Sequence, residues 1–331
     1  MRRAIQHAWR GLGRTAPNPL VGACVVSDEG VVVGQGAHER AGEPHAEIHA
    51  LDEAGDRARG ATLYCTLEPC SHTGRTGPCT ERIIAAGIRR VVAAMEDPFP
   101  LVSGRGFARL RAHGVDVVEG VGRNESLRLN QPFFTAVRDG RPFVIVKAAT
   151  SIDGRIAAAP GVRTQLTSGA ASRRVQYLRA QVDAIGIGSG TLLVDDPLLT
   201  VRDVYRERPL MRVIFDRRRR TPPDARVFST LEQGPVRVVG SADEDLQSVL
   251  RQLASEGVQS MLLEGGAQLH AAAWDADVVD YVQLYVTPAA LGPSGIPLFG
   301  GRPWSLSSLI DPRVELLGPD TLIEGYVHRP R

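Results

Sequence analysis

The sequence predicts an α/β fold divided into two domains. Short apolar runs typical of strands alternate with helical segments through both halves of the chain, the order of elements found in α/β layer folds. The chain has 331 residues, which is long for one domain and natural for two. Polar, Gly and Pro residues cluster over residues 138–142, and a new apolar run follows directly. We therefore expect one domain over residues 1–140 and a second over residues 141–331.

The first half begins with a predicted helix over residues 4–12, whose apolar side chains share one face and which ends at Gly11 and Gly13. Two strands, 20–26 and 31–36, follow around a turn. Pro44 precedes a helix over residues 45–54, as is common at helix starts. The remaining elements predicted for this half are strands 61–66, 90–94 and 115–119 and helices 80–86 and 104–113.

The second half alternates in the same way. Its predicted strands are 143–147, 184–188, 211–215, 236–239, 260–263 and 281–286. Its predicted helices are 243–255 and 268–273. Residues 186–190 (Gly-Ile-Gly-Ser-Gly) and 264–266 (Glu-Gly-Gly) follow strands, so each could bring backbone N–H groups to a ligand, or simply turn the chain. The second half has no G-x-G-x-x-G after a strand, which excludes a Rossmann fingerprint.

Composition limits the classes of partner. The net charge is +2 and the basic residues are scattered, so the chain lacks the strong field of a protein that binds a nucleic acid. The run Arg217 to Arg220 lies between an apolar strand and Thr221-Pro222-Pro223, which favours a solvated turn over a nucleic-acid patch. No apolar stretch is long enough to span a bilayer, and the start of the chain lacks the apolar core of a signal peptide. We expect a cytoplasmic protein without nucleic-acid or membrane partners.

Four residues in the first half indicate a catalytic metal site. His45, Cys70 and Cys79 offer one imidazole and two thiolates, and zinc held by three protein ligands keeps a position open for water. Glu47 follows the histidine by two residues, where a carboxylate can reach that water without taking a coordination position. The pattern H-x-E, followed by P-C and a second Cys, is the signature of zinc nucleobase deaminases. Cys24 and Cys65 lie in apolar runs and are predicted to be small buried residues.

Two neighbouring residues have more than one interpretation. His72 lies in the polar, Gly-rich segment 71–78 between the two metal cysteines. A fourth ligand there would close the position that deaminase chemistry needs, so a substrate contact or a solvent-exposed residue is favoured. Asn18 lies between two prolines, and is either a contact to a base edge or a turn residue.

The motifs together resemble one known family. Residues 17–19 (Pro-Asn-Pro), 42–47 (Gly-Glu-Pro-His-Ala-Glu) and 66–72 (Thr-Leu-Glu-Pro-Cys-Ser-His), with residues 74–76 and 78–79, are similar to the bifunctional deaminase/reductase family of riboflavin biosynthesis. The second half resembles it independently. There the matching motifs are Lys147, which is the single lysine of the chain, and residues 151–154, 178–180, 190–191, 195–197, 199–202 and 264–266.

This resemblance implies a cytidine-deaminase-like α/β/α domain followed by a dihydrofolate-reductase-like α/β domain. The first would use Zn²⁺ to deaminate 2,5-diamino-6-ribosylamino-4(3H)-pyrimidinone 5′-phosphate. The second would use NADPH to reduce the ribosyl chain, giving 5-amino-6-(5-phospho-D-ribitylamino)uracil. A homo-oligomer built through the second domain is also implied.

The resemblance further implies the residues of the second site. Those expected to contact substrate are Lys147, Arg179, Asp195, Leu199, Arg202 and Glu264. Those expected to contact the cofactor are Ala149, Gln165, Thr167, Thr191, Asp195, Gly265 and Gly266. Arg179 and Arg202 suit a phosphate monoester, because a guanidinium can donate two parallel hydrogen bonds.

The chain departs from the family pattern at one place in the second half. Gln165 stands where the family has a tryptophan beside the nicotinamide, and Arg163 stands where a small substrate contact is usual. We expect the loss of one stacking residue to weaken NADPH binding. The departure at Gln165 leaves one alternative open, which is a deaminase joined to a catalytically weak, reductase-like oligomerisation domain. An editing deaminase for nucleic acids is disfavoured by the near-neutral charge and the few aromatic residues.

Overall fold

The protein is described by a computed structural model that covers residues 1–72, 77–100, 102–241 and 244–330. The chain divides into two units, Met1–Asp139 and Gly140–Pro330. Part of the segment between the metal cysteines, residues 73–76, lies outside the described residues, as does the predicted start of one helix at position 243. None of the described helices is long and apolar enough to cross a membrane.

The first unit is a mixed sheet with helices on both faces. Its strands are β1 (Gly22–Val26), β2 (Val32–Ala37), β3 (Thr62–Cys65), β4 (Arg90–Ala93) and β5 (Asp116–Glu119). Its helices are α1 (Arg2–Ala8), α2 (Ala46–Ala54), α3 (Cys79–Ala85), α4 (Arg105–Ala112), α5 (Arg123–Leu129) and α6 (Gln131–Asp139). The strand order is β2-β1-β3-β4-β5, with β1 antiparallel to both neighbours and β3, β4 and β5 parallel.

Glycines in the first two strands let helices approach the sheet closely. A Cβ on Gly34 would lie 2.0 Å from the Ala50 carbonyl oxygen of α2, and one on Gly36 would lie 2.3 Å from the Ala46 carbonyl oxygen. On β1, a Cβ on Gly22 would lie 2.0 Å from the Ala4 carbonyl oxygen of α1. Since no side chain fits at these positions, α2 lies directly against β2, and its first turn is fixed relative to the sheet.

The second unit has a larger sheet. Its strands are β6 (Phe143–Ser151), β7 (Arg155–Ala157), β8 (Ala184–Gly188), β9 (Met211–Phe215), β10 (Val236–Val239), β11 (Ser260–Gly265), β12 (Tyr281–Thr287), β13 (Ile296–Pro297), β14 (Ile310–Leu317) and β15 (Asp320–Tyr326). Its helices are α7 (Gly169–Gln181), α8 (Ser189–Asp195), α9 (Leu246–Ser255) and α10 (Ala267–Asp275). The strand order of the main sheet is β10-β9-β8-β11-β6-β12-β15-β14, and β7 pairs with β13 separately.

Most strands of this sheet are parallel, so their carboxyl ends lie along one edge. The strands from β10 to β12 all run parallel, while β15 and β14 add an antiparallel hairpin. Alternate residues of β6 feed two cores: Val144 and Val146 pack with residues of α9, whereas Phe143 and Ile145 pack with Leu178 of α7. Because both faces are covered, ligands can reach these parallel strands at their carboxyl ends.

The observed elements differ from the predicted ones in the length of some strands and in several elements that were not predicted. Strand β6 extends to Ser151, four residues beyond its predicted end, and β11 extends to Gly265. Helices α5, α6, α7 and α8, the short pair β7 and β13, and the hairpin of β14 and β15 were not predicted. Strand β14 is exposed over most of its length, so it lacks the apolar alternation by which half-buried strands are recognised.

Candidate active sites

Three elements of the first unit bring the predicted metal ligands together. His45 is the N-cap residue of α2, Cys79 is the first residue of α3, and Cys70 lies in the loop that follows β3. The His45 Nδ1 atom lies 3.2 Å from the Cys79 Sγ atom and 3.5 Å from the Cys70 Sγ atom. The ligand atoms all lie within 4.8 Å of one another. The cluster found among the described residues consists of these three and does not include His72.

The protonation of the ligands reflects their proximity. A hydrogen bond with Cys70 raises the pKa of His45 to about 9. A hydrogen bond from the Cys79 thiol lowers the pKa of Cys70 to about 4, and the same contact with burial raises the pKa of Cys79. One imidazole nitrogen and two sulfurs at these separations are the donor set of a catalytic zinc site, so the residues fit the metal. Binding it requires the His45 ring and the Cys79 thiol to lose their protons.

Glu47 lies beside the ligands in the first turn of α2. Its side chain is buried, and its Oε2 atom has no hydrogen-bond partner among the described residues. Burial raises the pKa of the carboxyl group to about 7, which is where a group that both accepts and donates a proton works best near neutral pH. A buried carboxyl oxygen without a partner is costly unless a reacting molecule meets it.

Asn18 is held by a histidine that sequence analysis did not single out. The Asn18 Nδ2 atom donates to His38 Nε2 at 3.0 Å, and His38 Nδ1 donates to the Pro44 carbonyl oxygen at 3.2 Å. The His38 and His45 rings meet edge to face with centroids 5.3 Å apart. Burial lowers the pKa of His38, which keeps its ring neutral. The chain of contacts ties Asn18 to the start of α2, so Asn18 does more than form a turn. A histidine seven residues before a ligand gave no signal in the sequence.

Glu68 is a second buried carboxylate, two residues before Cys70, and it clamps the start of α4. Its Oε2 atom accepts the backbone N–H of Asp97 at 3.2 Å and of Gly104 at 2.9 Å. Its Oε1 atom accepts the backbone N–H of Gly106 at 2.7 Å and of Phe107 at 3.2 Å. The clamp thus fixes the backbone from which the Cys70 side chain projects.

In the second unit, one cavity of about 1270 Å³ is lined by every predicted residue of the reductase site. The substrate set is Lys147, Arg179, Asp195, Leu199, Arg202 and Glu264, and the cofactor set is Ala149, Gln165, Thr167, Thr191, Asp195, Gly265 and Gly266. Strands β6, β8 and β11 deliver many of these residues from their carboxyl ends. The cavity therefore lies where parallel α/β sheets bind ligands.

A buried ion pair lies in the wall of this cavity. Arg179 donates through Nε and Nη2 to the two carboxylate oxygens of Glu264, at 2.6 and 2.7 Å, and through Nη1 to the Thr200 carbonyl oxygen. Lys147 is half-buried nearby, and desolvation lowers the pKa of its amine while the Glu264 charge opposes that shift. The N–H groups of Arg179 thus donate to Glu264 and Thr200 within the protein. Arg202, by contrast, has an exposed guanidinium group.

The Glu-Gly-Gly turn at the end of β11 leaves little room for side chains at its two glycines. A Cβ on Gly266 would lie 2.9 Å from Thr191 Oγ1, and Gly266 has a φ of +84°, which L-residues rarely adopt. A Cβ on Gly265 would lie 3.0 Å from Thr191 Cγ2. The turn therefore packs against Thr191 while its backbone lines the cavity. The tight turn is confirmed, and the close approach to a ligand stays a prediction.

Gln165 occupies the cavity rim with its amide turned to its own loop. Its Nε2 atom donates to the Thr167 carbonyl oxygen at 3.0 Å and lies 3.3 Å from Thr167 Oγ1. Asp153, in the neighbouring loop, accepts the backbone N–H groups of Leu291 and Gly292 and the Ser151 hydroxyl. Asp153 therefore shapes the loop.

Comparison with known proteins identifies both halves. Residues 1–95 match the cytidine and deoxycytidylate deaminase zinc-binding region, and residues 142–327 match the RibD C-terminal domain. The chain is 42% identical over 322 residues to riboflavin biosynthesis protein RibD of Escherichia coli strain K12, with 88% of each chain covered. The chain belongs to the RibD family. A second RibD, from Synechocystis, is 39% identical over 352 residues, which cover 99% of this chain and 95% of the relative.

Solved structures of the RibD family share the whole fold. Acinetobacter baumannii RibD superposes with a TM-score of 0.88 at 35% identity, covering 99% of this chain and 98% of the other. A diaminohydroxyphosphoribosylaminopyrimidine deaminase/5-amino-6-(5-phosphoribosylamino)uracil reductase from Thermotoga maritima superposes with a TM-score of 0.87 at 36% identity, covering 98% and 97%. The predicted fold class is confirmed, with an α/β deaminase domain followed by an α/β reductase domain. As a RibD, the chain is a bifunctional deaminase and reductase of riboflavin biosynthesis.

Proposed function

We propose that residues 1–140 use Zn²⁺ to deaminate 2,5-diamino-6-ribosylamino-4(3H)-pyrimidinone 5′-phosphate. We further propose that residues 141–331 use NADPH to reduce the ribosyl chain of the product to 5-amino-6-(5-phospho-D-ribitylamino)uracil. Two observations together support the proposal. The first unit has a His-Cys-Cys cluster beside a buried carboxyl group, and the second unit has a large cavity lined by basic residues. The substrate names follow the Thermotoga relative, which is named as a deaminase and a reductase of these pyrimidines.

In the deaminase half, His45, Cys70 and Cys79 would hold the metal. When bound, zinc supplies Lewis acidity that makes water a nucleophile near neutral pH. Glu47 would take one proton from the attacking water and pass it to a ring nitrogen of the pyrimidine. It would then carry the second proton, from the new hydroxyl group, to the amino group, which leaves as ammonia while the hydroxyl becomes the carbonyl. The unpartnered Oε2 atom of Glu47 and its pKa of about 7 suit this two-way transfer. Asn18, held by His38, offers its amide to the edge of the base.

In the reductase half, the residues of the cavity wall orient the sugar. NADPH supplies the hydride when it is bound, and its transfer requires chiefly that donor and acceptor carbon be held in attack geometry. Lys147 offers its half-buried ammonium to the sugar oxygens. Glu264 accepts from the sugar hydroxyls while Arg179 fixes the orientation of its carboxylate. Arg202 is exposed at the cavity and suits the phosphate monoester of the substrate.

Turnover of the diaminopyrimidine phosphate tests both halves in one experiment. The purified enzyme is mixed with the substrate and NADPH, and ammonia release is followed together with the absorbance band of the nicotinamide. We expect ammonia first and NADPH oxidation second, in equal final amounts. Ammonia release without NADPH oxidation would overturn the reductase half of the proposal and leave the deaminase half standing.

A second candidate keeps the deaminase and makes the other half a weak, reductase-like oligomerisation domain. The observation that favours it is Gln165, whose amide is hydrogen-bonded within its own loop instead of offering an aromatic face to a nicotinamide. Restoring an aromatic residue with Gln165→Trp distinguishes the two candidates. A lower KM for NADPH with unchanged kcat supports the two-activity enzyme. Absence of NADPH oxidation in both the wild-type enzyme and the variant supports the oligomerisation domain. The cytoplasmic location and the homo-oligomer stay predictions.

A further inference from the structure

A loop of the second unit lies over the end of helix α7. The loop spans residues 199–209, between α8 and β9, and its residues Leu199, Thr200 and Arg202 line the reductase cavity. Helix α7 carries Arg179 in its last turn, and Arg179 donates to the Thr200 carbonyl oxygen at 2.9 Å. The loop and the helix therefore meet beside the substrate set, and the contacts between them determine where the cavity residues of the loop lie.

The backbone of this loop has an unfavourable conformation at two positions. Leu199 has a φ of +54° and Asp203 has a φ of +60°, in a region where residues other than glycine are strained. Arg202 lies between them, is exposed and lines the cavity. Because strained backbone persists only where neighbouring contacts fix it, the position of Arg202 depends on what anchors the loop.

Arg206 anchors the loop to α7. Its Nη1 atom donates to the carbonyl oxygens of Arg179 at 3.0 Å, of Ala180 at 2.9 Å and of Val182 at 2.7 Å. These carbonyl groups lie at the end of α7, where the last carbonyls of a helix have no partner within the helix. Burial lowers the pKa of Arg206 to about 10, so the side chain is a cation near neutral pH and complements the negative end of the helix dipole.

A second hydrogen bond holds the same loop at Arg202 itself. The Arg202 backbone N–H donates to the Oε1 atom of Gln176 at 2.8 Å, and Gln176 is buried on α7. Arg206 lies outside the described residues that line the cavity, whereas Arg202, four residues earlier, is among them. The loop is thus fixed to α7 on both of these residues, and only Arg202 is placed to meet a ligand.

We propose that Arg206 is a positioning residue of the reductase, which sets the place of the Arg202 guanidinium by tying the loop to the end of α7. The inference rests on the proposed reductase, in which Arg202 meets the phosphate monoester of the substrate. It adds a residue that acts through Arg202 without touching the substrate. A displacement of about 1 Å, caused far from the reacting atoms, can cost an enzyme up to about 100-fold in activity.

Reductase kinetics on the deaminated pyrimidine phosphate test the inference. Arg206→Met removes the donors to the three carbonyls and keeps an unbranched side chain. We expect this variant to raise the KM for the pyrimidine phosphate roughly tenfold or more, with kcat and the Kd for NADPH near their wild-type values. Ribose 5-phosphate, titrated by calorimetry, should lose affinity by a similar factor because it carries the phosphate without the pyrimidine.

A double-mutant cycle separates positioning from a merely structural role. Arg202→Met alone should raise the same KM by a similar factor or more. If Arg206 acts through Arg202, the variant with both changes has a KM no higher than that of Arg202→Met, whereas independent effects would multiply.

Arg208→Met is the matched control for the change at Arg206. Arg208 lies in the same loop and is also half-buried, but it donates to Asp183 at 2.8 Å instead of to the α7 carbonyls. Its replacement removes the same charge and should leave the KM for the pyrimidine phosphate near the wild-type value. A rise in KM as large as in Arg206→Met would show that Arg206 only stabilises the loop.

Gln176→Leu tests the same idea should Arg206→Met fail to fold, since Gln176 holds Arg202 through a separate hydrogen bond. Effects that multiply with those of Arg202→Met, or an unchanged KM in a folded variant, would overturn the inference. An unchanged KM in Arg202→Met, with NADPH still oxidised, would overturn it as well and leave the reductase standing. If the wild-type enzyme does not oxidise NADPH with the deaminated substrate, the proposed reductase itself is wrong and the inference falls with it.

Discussion

Glu47 shows at the scale of one residue how burial prepares a group for chemistry. Its carboxyl group lies beside three metal ligands, with one oxygen left without a partner among the described residues. We expect Glu47→Gln to keep the metal and to lower the rate of ammonia release by roughly 10²- to 10⁴-fold, because an amide cannot move the proton. Zinc content by atomic absorption and ammonia release by a coupled assay check the two halves of this prediction.

Glu43→Gln is the matched control for that change. Glu43 lies four residues earlier, outside α2, and pairs with the exposed Arg40 at 3.5 Å. Its substitution should leave ammonia release near the wild-type rate. A Glu47→Gln enzyme that also retained near wild-type activity would show that the proton is carried by another group.

His270 makes a prediction for stability against pH. The side chain is fully buried in α10, where Nε2 donates to the Leu263 carbonyl oxygen and Nδ1 has no partner among the described residues. Burial lowers the pKa of the ring from 6.5 to about 4. The unfolded chain therefore binds a proton more readily than the folded one between these values. The contribution of His270 to stability is full above pH 6.5 and is lost as the pH falls towards 4.

His270→Gln removes this titration and keeps a side chain that can donate a hydrogen bond. Between pH 7.5 and pH 5.0, we expect the wild-type free energy of unfolding to fall by about 2 kcal/mol more than that of the variant. Urea unfolding at the two pH values, followed by tryptophan fluorescence, measures the difference. An equal fall in both proteins would mean that the ring is not kept neutral by the fold.

At the scale of elements, helix α4 and the loop that carries Cys70 depend on one carboxylate. Glu68 accepts hydrogen bonds from four backbone N–H groups, some of which belong to residues at the start of α4. In addition, a Cβ on Gly106 would lie 2.0 Å from the Pro69 carbonyl oxygen. The helix start thus lies against the residue that precedes the ligand. Groups that orient metal ligands in this way contribute to metal affinity without touching the metal.

Glu68→Gln replaces one acceptor oxygen by an amide that points its own hydrogens at two backbone donors. We expect zinc affinity to fall roughly 10- to 100-fold as the Cys70 loop loosens. Competition with a chromophoric chelator measures the affinity. The control is Glu96→Gln, which alters an exposed carboxylate directly before Asp97. Unchanged zinc affinity with only a lower melting temperature would reduce Glu68 to a purely structural residue.

Predicted elements agree with the structure wherever burial imposes a pattern on the sequence. Strands β8 and β9 begin and end as expected, because parallel strands in a covered sheet are largely apolar runs bounded by polar residues. Strand β14 and helix α7 were missed for the opposite reason. Strand β14 lies at the sheet edge with most side chains exposed, and α7 carries several arginines among few apolar residues.

At the scale of the whole molecule, the two activities are assigned to units with separate sheets and cores. We expect Cys79→Ser to lose zinc and ammonia release while it still oxidises NADPH when given the deaminated intermediate. The reason is that Cys79 belongs to the proposed metal site of the first unit, whereas every residue that lines the proposed reductase cavity belongs to the second. Activity on each substrate, measured separately, checks this expectation.

Joint loss of both activities in Cys79→Ser would contradict that independence. Lys147→Met is the reciprocal change, which should stop NADPH oxidation and leave ammonia release intact. Together the two variants distinguish a fusion of independent enzymes from a pair of sites that depend on each other.

The sequence alone was sufficient to predict the cluster of one histidine and two cysteines, and the family. His45, Glu47, Cys70 and Cys79 are recognisable because metal chemistry restricts both residue type and spacing, and those restrictions are local in the chain. The order of strands and helices was likewise determined by local apolar patterns.

Tertiary structure decided what depends on residues far apart in the chain. The pairing of Arg179 with Glu264 joins positions 85 residues apart, and the contact of Asn18 with His38 depends on how the loops cross the sheet. The run Arg217 to Arg220 reads as a solvated turn, yet three of its arginines line the reductase cavity once β9 takes its place beside β8. The residue type gives the charge of a side chain. Its contacts depend on how the strands pack together, because packing brings residues close that are far apart in the sequence.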